Sequence, residues 1–192
     1  MKEGTAATRF ALPSRLLHWL MAPMVVAQLL IGVTMVAALS YYPLLLAIHR
    51  PLGVLILVFA VVRLANRLRH RPPPFLSAMS GAERRIATWS EYLLYALLLV
   101  QPLTGWAMAS AARFPVTLVG RLWLPGIAPH SIDVFAVLRE CHGALALLLL
   151  LTFTAHMCAV LFHTLVLRDR LLDRMALWRV RPTATQPDQA EL

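Results

Sequence analysis

Four histidines lie inside otherwise apolar stretches of this sequence: His18, His49, His142 and His156. An ionisable side chain at membrane depth is costly and needs a partner, so each position suggests a functional site. His142 and His156 share one apolar stretch and are fourteen residues apart. On an α-helix, this spacing returns to within about 40° of the same face, about 21 Å further along the axis. The two imidazoles are therefore predicted to serve two sites at different depths.

His18 and His49 lie on two other apolar stretches, from which they can supply the opposite ligands of those two sites. No carboxylate or thiolate accompanies the histidines at either level, which disfavours a non-haem metal. Two b-type haems, each held between two imidazoles, satisfy all four positions. The alternative is that the histidines only bond to neighbouring helices, in a structural or transport bundle without haem.

The elements that must position these histidines are four apolar stretches, each near the twenty residues needed to cross a bilayer. Hydrophobic residues make up 59% of the 192 residues, whereas a soluble domain has about 45–50%. The sequence therefore predicts an all-α, integral membrane four-helix bundle over residues 16–167, with tails at 1–15 and 168–192. The four helices are expected at 16–39, 43–64, 89–111 and 134–167.

The distribution of basic residues predicts the orientation of this bundle. Fourteen of the eighteen Lys and Arg residues fall in the N-terminal tail, the 63–88 connection and the C-terminal tail. Four fall on the opposite side: Arg50, Arg113, Arg121 and Arg139. Cytoplasmic loops carry the excess of basic residues, so both termini are predicted to be cytoplasmic. The polar, proline-bearing end of the chain, residues 181–192, is predicted to be disordered.

This orientation gives each histidine a depth. His18 and His156 are predicted near the cytoplasmic side, and His49 and His142 near the outer side, so the expected haem pairs are His18 with His156 and His49 with His142. His163 follows His156 by seven residues and is interpreted as a boundary residue, a third ligand or a proton carrier at a quinone site. Glu91, near the cytoplasmic start of the third helix, is the second candidate for that quinone or proton site.

Several other classes of protein are disfavoured. The net charge is +9, but the arginines cluster between apolar stretches rather than on one amphipathic face, so no nucleic-acid partner is expected. No C-x-x-C-H motif occurs, which excludes covalent c-type haem, and Cys141 and Cys158 are interpreted as packing residues. The first stretch exceeds the usual 7–15 apolar residues of a signal peptide and carries His18, which disfavours cleavage.

The ordered motifs of residues 10–180 make the sequence resemble the bacterial cytochrome b561 family of small dihaem membrane proteins. These motifs are RLLHWLM around His18, LAIHRPLG around His49, VVRLANRL, LLYALLLVQPLTGW, CHGALALLLLLTFTAHMCAVLFH and LRDRLLDRM. The family's ligands would fall on the same four histidines. Family members often have a histidine near the start of the third helix, where this sequence has Glu91.

The resemblance implies electron transfer in the bacterial inner membrane, with two haems b as cofactors and membrane lipid around the bundle. Some family members look like superoxide oxidases, which take electrons from superoxide at the outer haem and reduce ubiquinone near the inner one. Because superoxide is an anion, a basic outer surface would raise its local concentration. The candidates for such a surface are Arg50, Arg113, Arg121 and Arg139. Their alternative role is to anchor lipid phosphates. The alternative function is a cytochrome b subunit that relays electrons between a periplasmic dehydrogenase or hydrogenase and quinone.

Overall fold

The computed structural model of the protein describes residues 9–114, 123–169 and 171–178. Four long helices make up most of it: α1 Leu12–Ala37, α2 Tyr42–Arg69, α3 Gly81–Ala111 and α4 Ile132–Leu161. Short helical turns lie between α1 and α2 (Leu39–Tyr41) and after α4 (Phe162–Leu167 and Leu171–Arg174). Arg121 and the predicted disordered segment 181–192 lie outside the described residues.

All four helices are long and apolar enough to cross a membrane, with mean hydropathies of 2.1, 2.3, 1.4 and 2.3 in their most apolar windows. Few side chains are buried between them, and these are largely small or flexible, such as Met21, Ala60 and Ala109. Large apolar side chains such as Leu30 and Val36 instead point outward, where lipid replaces water as the solvent. The predicted all-α membrane four-helix bundle is confirmed.

The third helix begins eight residues before the predicted start at residue 89. Ser80 and Glu83 form a capping box: the Glu83 amide donates to Ser80 Oγ at 3.3 Å, and the Ser80 amide donates to Glu83 Oε2 at 2.6 Å. Because these bonds satisfy amides that the helix leaves free, a polar turn can extend an otherwise apolar helix. The fourth helix passes into a π-helical turn and stops at Arg168, which adopts a left-handed conformation with φ of 52°.

Consecutive helices pack side by side, α1 on α2, α2 on α3 and α3 on α4. The bundle therefore has a terminal end, where α1 begins and the segment after α4 lies, and a loop end, where α1 joins α2 and α3 joins α4. At the terminal end, the Asn66 amide of α2 donates to Ser14 Oγ of α1 at 2.8 Å. At the loop end, His130 Nδ1 lies 2.8 Å from the carbonyl of Ala111.

The segment after α4 folds back onto the start of α1. We call residues 171–178 the strap. Its backbone carbonyls accept hydrogen bonds from side chains of α1 and of the residues just before it. Trp19 Nε1 donates to the Met175 carbonyl at 2.8 Å, and Arg15 donates to the Ala176 carbonyl at 2.8 Å. Arg9 donates to the Ala176 carbonyl and, at 3.1 Å, to the Trp178 carbonyl. The Phe10 amide also donates to the Arg174 carbonyl at 3.1 Å. The terminal end is thus closed by the last described residues of the chain.

Orientation in the membrane stays a prediction that reporter fusions can test. We expect a fluorescent protein fused after Leu192 to mature in the cytoplasm, because the terminal end carries most of the basic residues. A periplasm-dependent alkaline phosphatase inserted between Trp123 and His130 should be active. No fluorescence from the fusion after Leu192, together with an inactive phosphatase in the insertion, would show that the orientation is opposite to the predicted one.

Candidate functional site

His49 of α2 and His142 of α4 face each other at the loop end of the bundle. Their ring centroids are 6.2 Å apart, and the ring planes meet at 79°. A metal–nitrogen bond of about 2 Å, plus about 1 Å from that nitrogen to the ring centre on each side, puts two trans imidazoles about 6 Å apart. The observed separation is close to this distance.

Glycines leave room beside this pair. A Cβ atom at Gly105 of α3 would lie 3.0 Å from Cε1 of the His142 ring, closer than side chains normally approach. A Cβ atom at Gly32 of α1 would come to 3.9 Å from the His49 ring. The His142 ring therefore lies directly against Gly105, and a larger residue there would require the ring to shift by a few tenths of an ångström.

His18 of α1 is within electrostatic range of His156 of α4. Arg63 of α2 is close enough to act on both rings, and its guanidinium lies over the Tyr95 ring, 5.7 Å from the centroid. The Trp19 ring meets the His18 ring edge to face with centroids 6.0 Å apart. The terminal end thus holds the other two histidines, with the Arg63 cation near both rings.

The chemistry of the donor set fits a macrocycle that supplies its own equatorial ligands. Among residues 9–114, 123–169 and 171–178, no group of three or more His, Cys, Asp or Glu side chains is arranged to hold a bare metal ion. The histidines come in twos, which suits the two axial positions of a haem. In addition, Nδ1 of His18 and Nδ1 of His49 are buried without a hydrogen-bond partner. The residues present therefore fit haem.

Two glutamines anchor the histidine pair at the loop end. The Gln28 side-chain amide donates to the His49 carbonyl at 3.0 Å, and the Gln101 amide donates to the His142 carbonyl at 3.0 Å. The sequence interpretation did not identify either residue. A signal was present, because an amide side chain inside an apolar, membrane-length stretch needs a partner.

The arginines predicted to face the outer side are placed differently from one another. Arg50, next to His49, is half-buried, and its guanidinium lies over the Phe114 ring, 5.4 Å from the centroid. Arg113 and Arg139 are exposed. Within the described parts of the chain, none of these three arginines forms an ion pair with a carboxylate. Among the described residues, no carboxylate therefore neutralises their positive charge.

The two remaining candidates, His163 and Glu91, lie at the terminal end and each has a charged partner. His163 is buried in the π-helical turn, and its Nδ1 contacts Asp169 Oδ2. Glu91 accepts two hydrogen bonds from Arg67, from Nε at 2.7 Å and from Nη2 at 3.4 Å. Within the described residues, the hydrogen bond and the ring contact of His163 are with Asp169 and Phe162, not with His18 or His156. Both groups are therefore held in place by a charged partner.

Comparison with known proteins places this arrangement among membrane cytochromes. The model of the family described as prokaryotic cytochrome b561 matches residues 9–177. The probable superoxide oxidase CybB of Yersinia pestis is 29% identical over 160 residues, covering 83% of this chain and 90% of that protein. Cytochrome b561 homolog 2 of Escherichia coli (strain K12) is 26% identical over 174 residues, covering 87% and 90%. Cytochrome b561 homolog 1 of the same strain is 26% identical over 136 residues, covering 71% and 77%.

Proposed function

The chain belongs to the prokaryotic cytochrome b561 family, and on that premise we propose that it carries two haems b, one on the His49–His142 pair and one on the His18–His156 pair. Membership makes the protein a bacterial membrane electron-transfer protein and implies haem b binding. The number of haems and their ligands are the proposal. The observation that carries it is the 6.2 Å separation of the His49 and His142 ring centroids.

A bound haem would supply a one-electron couple between ferric and ferrous iron. The protein's contribution is to hold the axial rings and to set their depth. His142 and His156 share α4, fourteen residues apart, so the two sites differ in depth by about 21 Å. Two such sites span much of a hydrocarbon core of about 30 Å, which suits electron transfer from one face of the membrane to the other.

We further propose that superoxide is the electron donor and ubiquinone the acceptor. A superoxide oxidase activity is attributed by name to the Yersinia pestis relative. Two superoxide anions would be oxidised to two molecules of dioxygen, and their two electrons, with two protons, would reduce one ubiquinone to ubiquinol. Arg50 supports this assignment, because its cationic group lies beside a proposed ligand and has no carboxylate partner among the described residues.

The quinone would be reduced at the terminal end, where protons are needed. His163, paired with Asp169, and Glu91, paired with Arg67, are the side chains that we assign to proton transfer at this step. Asp169 offsets the charge of a protonated His163, and Arg67, which stays protonated, offsets the charge of an ionised Glu91. The ion pair of Glu91 also explains how an acid is accommodated close to the apolar part of α3.

Quinone reduction by the purified protein under an enzymatic superoxide flux tests this function. We expect one ubiquinol for every two superoxide anions consumed, reduction of the haems before quinol appears, and loss of both signals when superoxide dismutase is added. Haems that are present and reducible by dithionite, but unaffected by superoxide, would contradict the donor assignment. Electron relay from a periplasmic dehydrogenase or hydrogenase would then be the better function.

A further inference from the structure

One turn of α3 forms a polar cradle around His142. Gln101, Thr104 and Gly105 are spaced i, i+3 and i+4, which puts them on the same face of the helix. Thr104 Oγ1 lies 3.3 Å from His142 Nδ1, and the Gln101 amide nitrogen lies 3.3 Å from Nε2 and 3.0 Å from the carbonyl of the same histidine. Gly105 provides the space that the ring occupies. Three positions of one helix thus contact both nitrogens and the backbone of one residue.

The Thr104 hydroxyl determines where the His142 proton lies. Thr104 donates its only hydroxyl hydrogen to the Gln101 carbonyl at 2.8 Å, so toward Nδ1 it can only accept, and Nδ1 must carry the hydrogen. A neutral imidazole has one N–H, so Nε2 then presents its lone pair. The Gln101 amide donates to the His142 carbonyl at 3.0 Å, and this bond does not use the Nε2 lone pair. The Thr104 contact therefore specifies the tautomer.

That tautomer is the one that a metal bound at Nε2 requires. A ligating histidine usually donates its second N–H to a fixed acceptor, which holds the ring orientation and raises the basicity of the ligand. Here the Thr104 oxygen is this acceptor. His49, across the site, differs: its Nδ1 is buried and has no hydrogen-bond partner in the described structure. The two histidines of this pair are therefore supported unequally.

We propose that Thr104 is a positioning residue for His142, which it holds in the Nδ1–H tautomer so that Nε2 is presented to the haem iron. This inference rests on the proposed haem at the His49–His142 pair. A more basic axial ligand stabilises ferric over ferrous iron. Thr104 accordingly lowers the reduction potential of that haem, and leaves the haem at the His18–His156 pair unaffected.

A redox titration of the purified full-length haem protein tests the proposal. Thr104→Val keeps the shape of the side chain and removes the acceptor. We expect the midpoint potential of one haem to rise by roughly 30 mV. This corresponds to about a threefold change in the redox equilibrium constant, because a tenfold change corresponds to 59 mV for a one-electron couple. Haem content should be unchanged, and Thr104→Ser, which keeps the hydroxyl, should restore the original potential.

Thr88→Val is the matched control, because Thr88 lies on the same helix and, within the described parts of the chain, its hydroxyl bonds only to the Arg84 carbonyl, at 2.8 Å. Unchanged potentials, a shift confined to the haem that depends on His18, or loss of both haems would overturn it. A wild-type protein without haem would instead refute the proposed function, so the two failures are distinguishable.

Discussion

Replacement of His142 by alanine will reduce the haem content of the purified protein from two per chain to about one. The reason is that a b-type haem has no covalent attachment and is held by its axial ligands and its pocket. His142 is the histidine with the most complete support, from Gln101, Thr104 and the space at Gly105. The measurement is the pyridine haemochrome content per polypeptide, together with the reduced-minus-oxidised spectrum.

Double variants test which histidines share a haem. If His49 and His142 bind the same haem, the double alanine variant will lose no more haem than either single variant. If His142 and His156 bind different haems, their double variant will lose both. His70→Ala is the matched control, because His70 is an exposed histidine at the end of α2. Two full haem equivalents in both the His142 and the His18 variants would show that the pairing is wrong.

Neutralisation of Arg50 will slow the reduction of haem by superoxide about threefold to tenfold, without removing haem. Electrostatic steering raises association rates by about 10–10³ in total, and Arg50 is the cation nearest in sequence to a proposed ligand. Its stacking on Phe114 keeps the guanidinium at the loop end. The measurement is the stopped-flow rate of haem reduction after mixing with superoxide, for Arg50→Gln against the wild type.

Salt provides the second half of this test. Surface attraction is screened over about 10 Å at 0.1 M ionic strength, so the wild-type rate should fall as salt rises and the Arg50→Gln rate should fall less. Arg113→Gln, Arg121→Gln and Arg139→Gln should have smaller effects. The control is Arg85→Gln at the terminal end, which should leave the rate unchanged. If the rate changed neither with salt nor in any of the four arginine variants, the explanation would be unsteered entry of superoxide or electron donation by a protein.

The helices and the histidine pair at the loop end were predictable because their signals are periodic or chemically unusual. The length of each apolar stretch predicts a membrane-spanning helix. A histidine inside such a stretch is unusual, because burying an ionisable side chain in the membrane costs free energy. The early start of α3 was also readable, since Ser80 and Glu83 have the spacing of a capping box. Gln28 and Gln101 carried a similar signal, because buried amides in apolar stretches need partners, but the sequence does not tell which carbonyl each one meets.

Other contacts had no signal in the sequence. Arg67 and Glu91 are 24 residues apart on different helices, and only the packing of α2 against α3 brings them together. The strap is bound through its backbone carbonyls, which every residue has, so no side-chain pattern identifies it. The tautomer of His142 depends on where the Thr104 hydroxyl hydrogen points, and that is a property of the folded site alone.

The strap brings together two parts of the chain that are synthesised at different times. Arg9 and Ala176 are separated by 167 residues, which a ribosome adding about 5–20 residues per second needs roughly 8–33 s to complete. The helices can enter the membrane one after another during that time, but the start of α1 must wait for its carbonyl partners. The terminal end of the bundle therefore stays open until the strap has been synthesised.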